Sequence, residues 1–168
     1  MLFRSFRPGE VNRAHAFTTS AAGKGVNVAH VLQTLGGQPL LLGFAGGDSG
    51  RRVISDLDRW RIRHDLVRVA VPTRTCHTLR DRSSGLVTEL VEESALPTRK
   101  DWDRFFRKYR ARLPRAALVV IAGALMPRAS QDIYRRLAKL AADGSLVARN
   151  VERHANRFWP DHDRHHGG

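Results

Sequence analysis

Between residues 25 and 35 the apolar side chains of Val26, Ala29, Val31, Leu32 and Leu35 recur at helical spacing, and Gly36-Gly37 closes the run as a helix end favours. A helix is predicted there. Next, PLLLGFA at 39–45 is an unbroken apolar run that suits a strand covered on both faces, as in a parallel sheet. Gly46-Gly47 follow, and Asp48 or Ser49 is the expected cap of a second helix running to about Trp60. From Asp65 to Glu92 the pattern changes to valines, threonines and polar residues interleaved around Pro72 and Ser83-Ser84-Gly85, which predicts a β-rich flap outside the main sheet. Residues 1–20, with Pro8-Gly9, read as an edge strand or loop entering the domain.

After Pro97 helical spacing returns through Arg112, an apolar run from Ala116 to Ala122 predicts a strand, and a further helix is expected from about Ser130 to Ala142. DGSLVA at 143–148 begins another strand. Beyond it the chain has neither period and holds four of the eight histidines. Alternating strands and helices place the chain in the α/β class.

The 168 residues, 42% hydrophobic, suffice for one domain with a real core and are too few for two large ones. A formal charge of +13 draws such a chain toward phosphate-bearing partners without saying which. The lysines number only four (Lys24, Lys100, Lys108 and Lys139) and the arginines are spread along the chain, which argues against a nucleic-acid-binding arm. Cys76 is alone, so no intrachain disulfide forms, and the start MLFRSFRPGE lacks the apolar core of a signal peptide. With no apolar run near bilayer length, no membrane partner is expected and the expected location is the cytoplasm.

The stretch AAGKGVNVAHVLQTLGG at 21–37 suggests a phosphate loop, yet it fails both phosphate fingerprints. Lys24 lies between Gly23 and Gly25 and no Ser or Thr follows it, as a Walker loop requires. Val28 occupies the third-glycine place of the dinucleotide fingerprint. What remains is a glycine turn that allows close backbone approach, a lysine, and a helix N-terminus with Asn27 in its first turn, all suited to a polar or anionic small molecule. A plainly capped helix explains the same residues about as well. Cys76 and His77, adjacent in a predicted strand, point to opposite faces and have no further ligands at metal spacing. HDRHH at 162–166 is read as a polar tail, and no metal is assigned to it.

AGKGVNVAHVLQTLGG followed by GFAGGDSG closely resembles the first signature region of the ribokinase-like carbohydrate kinases, the PfkB family. FRPGEVNRA before it, TRTCHTLRD at 73–81, TELVEES at 88–94 and VVIAGALMP at 119–127 resemble successive segments of the branch of 1-phosphofructokinase and tagatose-6-phosphate kinase. The resemblance covers about residues 3–147 in family order. It implies a ribokinase-like, mainly parallel sheet flanked by helices, with a small β-lid from about residues 1–20 and 65–92. Residues 148–168 form an unmatched, disordered tail in this view.

The resemblance further implies that the segment with Gly23, Lys24, Gly25 and Asn27 lines a sugar-phosphate site and that Arg74 helps to hold the substrate phosphate. Ammonium and guanidinium groups suit that task, one as a compact charge and the other as a planar donor fork. The implied reaction is ATP-dependent phosphorylation of a fructose 1-phosphate or tagatose 6-phosphate type substrate, with Mg2+ as the nucleotide's partner. A base deprotonates the sugar hydroxyl for in-line attack on the γ-phosphate. A homodimer through the lid or an exposed sheet edge is a further expectation.

Several family features have no match. Family members are about twice as long, and their second half is implied to carry the ATP site, a Gly-Ala-Gly-Asp anion hole and the catalytic aspartate. Asp48 in AGGDSG stands in an earlier glycine-rich turn and is read as a helix cap, so no catalytic residue is assigned. The family's first core strand, with a substrate-binding aspartate, is expected ahead of residues 1–10, and after GSLV the sequence ARNVERHANRFWPDH departs from the family's continuation. In AGALMPR, Ala122 and Ala124 stand where the family has serines and Arg128 where glycine is usual. Each lost hydroxyl removes a neutral hydrogen bond worth about 0.5–1.5 kcal/mol. The expectation is therefore an incomplete, inactive hexose-phosphate kinase. A non-catalytic sugar-phosphate-binding or interaction module and a non-functional gene fragment stay open beside it.

Overall fold

The computed structural model describes residues 1–123 and 132–142, together with the backbone of a strand at 146–149. Its elements in chain order are β1 (Leu2–Phe3), α1 (Lys24–Thr34), β2 (Leu40–Leu41), β3 (Phe44–Gly46), α2 (Gly47–Arg59), β4 (Arg63–His64), β5 (Val67–Val69), β6 (Cys76–Asp81), β7 (Val87–Val91), α3 (Arg99–Arg112), β8 (Leu118–Ile121), α4 (Asp132–Ala141) and β9 (Leu146–Arg149).

β2 pairs with β4 and β3 with β5, both parallel, and the register is the same in both: Leu40 opposite Arg63, Phe44 opposite Val67. The bonds from Asp65 N to Leu41 O and from Val67 N to Gly43 O, 2.9 and 2.8 Å, bridge the gap between them. The four short strands therefore act as one two-stranded parallel ribbon with α2 as its crossover. β8 and β9 make a second parallel pair, joined through α4.

Alternate strand residues face opposite layers. Leu42, Phe44, Val67 and Val69 belong to a core with Phe105, Phe106 and Tyr109 of α3 and Leu137, Ala138 and Ala141 of α4. Leu41 and Leu66 turn the other way, onto Ala21, Val26 and Ala29 at α1 and Leu57 of α2. Helices thus cover both faces of the ribbon, the ribokinase-like arrangement expected from the sequence. In β8 the alternation has a different outcome. Val119 and Ile121 join the α3–α4 core, whereas Leu118 and Val120 on the other face remain 43% and 37% exposed.

Two helices show why their ends lie where they do. α3 begins with a capping box: Asp101 N donates to Thr98 Oγ1 at 3.2 Å, and Thr98 N donates back to Asp101 Oδ2 at 2.8 Å. Thr98→Ala is expected to cost about 1 kcal/mol, read as a lower urea midpoint. For α2 the expected cap is corrected. The N-cap is Gly46 with no side-chain cap bond; Asp48 lies one residue into the helix, paired with Arg51, and Ser49 is used elsewhere. The chain enters α2 straight from β3, which leaves no room for a capping residue between them.

The flap also begins later than expected. Residues 67–69 pair with β3, because their apolar side chains are needed between the ribbon and α3. The outlying sheet has the order β1-β6-β7, with β1 parallel to β6 and β6 antiparallel to β7. Phe3 and Leu79 bury its inner face, and the Met1 ammonium donates to Thr78 O at 2.8 Å.

One polar cluster ties α3 to the ribbon. Lys108 Nζ donates to Asp65 Oδ1, and Arg112 grips Asp65 Oδ2 through Nε and Nη2 at 2.9 and 2.6 Å. The hydrogen bond from Lys108, helped by Arg112, holds the Asp65 carboxyl below its ordinary value against the opposing effect of burial. The folded chain thus keeps Asp65 ionised at a lower pH than the unfolded chain does. Its stabilisation is whole above the unfolded carboxylate value near ~4 and is lost as pH falls below it. Asp65→Asn is expected to cost about 1–2 kcal/mol at pH 7, allowing for solvent screening of the two cations. Urea unfolding should show that gap closing as the pH is lowered toward ~3; a gap independent of pH would contradict the assignment.

Candidate functional site

Gly23, Lys24, Gly25 and Asn27 come together as the start of α1. Gly23 is its N-cap at φ 109° and ψ 157°, in a region where only glycine is at ease. Asn27 N donates to Gly23 O at 2.9 Å, closing the first turn. Asn27 is exposed, Lys24 and Gly25 are half-buried, and Gly25 lies against Leu41. The approach to the turn is anchored by Ala21 N, which donates to Asp56 Oδ2 of α2 at 2.6 Å.

The start of α1 brings a cation and oriented backbone donors together. A helix N-terminus carries partial positive charge, which a side-chain cap or an acidic residue in the first turn normally offsets. α1 has no side-chain cap bond and no acidic residue in its first turn, and it places Lys24 there. An anion held there would meet both the helix terminus and a cation.

Arg74 stands on a second turn, exposed, between β5 and β6. Its neighbour Thr73 is locked to the corner where β3 becomes α2. Thr73 N donates to Gly46 O at 2.9 Å, Gly46 N donates to Thr73 Oγ1 at 3.1 Å, and Ser49 Oγ donates to Thr73 O at 2.5 Å. Because β3 and β5 are parallel, this corner lies at their carboxyl ends, the edge at which open α/β sheets bind ligands. Both candidate turns are therefore braced on α2, one through Asp56 and the other through Ser49.

Gly46, Ser49, Thr73 and Asp56 escape sequence reasoning as members of the site. AGGDSG reads as a turn, but nothing in its spacing names Thr73 as its partner, and no local signal points from Asp56 to Ala21. Cys76 is exposed and His77 half-buried, paired with Val91 and Leu90. Among the described residues no group of three or more His, Cys, Asp or Glu side chains could hold a metal ion. Ala124, Arg128 and the histidines at 162–166 lie outside the described residues.

The family model of the pfkB family carbohydrate kinases matches residues 2–163, beyond residue 147 where the motif-by-motif resemblance stops. Solved structures agree. A protein of Thermotoga maritima described as a candidate 1-phosphofructokinase is 26% identical, with a TM-score of 0.81 over 89% of this chain and 48% of that one. A candidate phosphofructokinase of Staphylococcus aureus is 27% identical, with a TM-score of 0.77 over 90% of this chain and 49% of that one. Phosphofructokinase-2 of Escherichia coli, solved with fructose-6-phosphate, is 22% identical with a TM-score of 0.76, covering 90% and 50% respectively. The chain spans about half the length of these solved structures.

Proposed function

Since this chain belongs to the pfkB family of carbohydrate kinases, we propose that its α1 turn and Arg74 form the sugar-phosphate side of a hexose-phosphate kinase site, with fructose 1-phosphate or tagatose 6-phosphate as the substrate class. The observation that carries this is the start of α1, where Lys24 sits at the positive end of a helix with no acidic residue in its first turn. A phosphate monoester there gains a cation and oriented backbone donors together. Arg74 adds a planar fork able to hold two phosphate oxygens. The sugar hydroxyls fall to Asn27 and the glycine backbone.

ATP supplies the transferred phosphoryl group in this family. The described residues offer no carboxylate cluster for its magnesium, and the 168 residues contain no Gly-Ala-Gly-Asp motif. The chain's own share of the reaction is accordingly to bind and orient the sugar phosphate, and no transfer step is assigned to its residues. Mixed with ATP, magnesium and fructose 1-phosphate, the 168-residue chain is expected to give no turnover above background, because positioning and charge neutralisation around the γ-phosphate are most of this catalysis. For assembly, Val87, Leu90 and Val91 of the lid, each more than half exposed, support a second copy as the partner. Analytical sedimentation would then report a two-chain mass. No described helix is long and apolar enough to cross a membrane.

Calorimetric titration tests the site. Fructose 1-phosphate is expected to bind at least about tenfold more tightly than fructose, the difference that one charge-assisted phosphate contact makes. Equal affinities, or no binding of either, would overturn the assignment.

A further inference from the structure

Among the described residues no hydrogen bond or ion pair engages the Arg74 guanidinium. Its position is set by the backbone that carries it, and that backbone is held one residue earlier, at Thr73. Three hydrogen bonds converge there from the β3–α2 corner, and the shortest, 2.5 Å, comes from the Ser49 hydroxyl to Thr73 O. Pro72 packs on Gly47 beside them. A serine in the first turn of a helix ordinarily caps it or faces water. Ser49 does neither: the N-cap is Gly46 without a side-chain bond, and the half-buried Ser49 hydroxyl reaches a segment 24 residues away.

We propose that Ser49 is a positioning residue for Arg74, holding the Thr73 carbonyl so that the guanidinium stands ready for the substrate phosphate; this rests on the sugar-phosphate site proposed above. The Ser49 hydroxyl donates to Thr73 O, so its part is to position and not to bind. It removes backbone freedom at the root of the arginine, so that less order has to be imposed when the phosphate binds. Thr73 acts in the same unit, because its Oγ1 accepts from Gly46 N while its own N–H returns a bond to Gly46 O.

The test is a double-mutant cycle on the dissociation constant for fructose 1-phosphate. Ser49→Ala is expected to weaken binding by about five- to tenfold in the wild-type background. In an Arg74→Ala background the same change is expected to have no further effect, because the group it positions is already gone. Thr73→Val, which keeps the side chain's shape and removes its acceptor oxygen, should give the same pattern and serves if Ser49→Ala lowers stability. Ser49→Ala binding as tightly as wild type, or weakening binding by the same factor with and without Arg74, overturns the positioning role and leaves the sugar-phosphate site standing. Failure of the wild-type chain to bind fructose 1-phosphate overturns both.

Discussion

Gly46→Ala is expected to destabilise the chain by about 3 kcal/mol or more and to abolish sugar-phosphate binding with it. A Cβ on Gly46 would lie 2.0 Å from Val71 O and 2.5 Å from Val69 O. Neither carbonyl can swing aside as a flexible side chain could, because Val69 is held opposite Gly46 in the β3–β5 ladder. The methyl therefore has to part the two strands at their carboxyl ends. That corner also carries the bonds to Thr73, so the backbone leading to Arg74 moves with it. Gly43→Ala is the matched control. Its added Cβ would meet Leu66 Cδ2 at 3.5 Å, an ordinary contact. The control is expected to shift stability by less than about 1 kcal/mol. Urea unfolding of the two variants side by side separates a sterically closed corner from a general cost of changing strand glycines; equal losses would contradict the corner geometry.

Elements with strong local periodicity were legible in the sequence. α1 is one, although its apolar spacing promised more burial than it delivers. Val26 and Ala29 are buried, whereas Val31 and Leu35 are 58% and 77% exposed. α3 was legible from the helical spacing that returns after Pro97, and its Trp102, Phe105, Phe106 and Tyr109 pack as one face against Phe44 and Val67. The assignment of residues 67–69 was not legible. LVRV alternates as a half-exposed strand would, and period-2 alternation names the exposed face without naming the neighbouring strand. Its place beside β3 follows from α2 returning the chain in parallel, a tertiary constraint absent from the window.

The candidate site divides in the same way. Glycine, lysine and asparagine at the start of α1 are adjacent in sequence, so their common turn could be read directly. The bracing of the site could not, since Ser49 to Thr73 and Ala21 to Asp56 are contacts between residues 24 and 35 apart. Nor does any spacing rule reveal that α1 begins with no side-chain cap and no acidic residue in its first turn; that matters only once the helix start is placed.

Lys24 and Arg74 are both proposed to bind the sugar phosphate. The most direct test of that claim is titration of fructose 1-phosphate into wild-type, Lys24→Ala and Arg74→Ala chains, with urea unfolding of each as the control for folding. Each substitution is expected to raise the dissociation constant by about 10- to 100-fold, the worth of a hydrogen bond to a charged group. Arg74 is exposed, so its replacement should leave the unfolding midpoint in place. Affinities unchanged in both variants, with wild-type binding intact, would contradict the claim and place the sugar phosphate elsewhere on the chain.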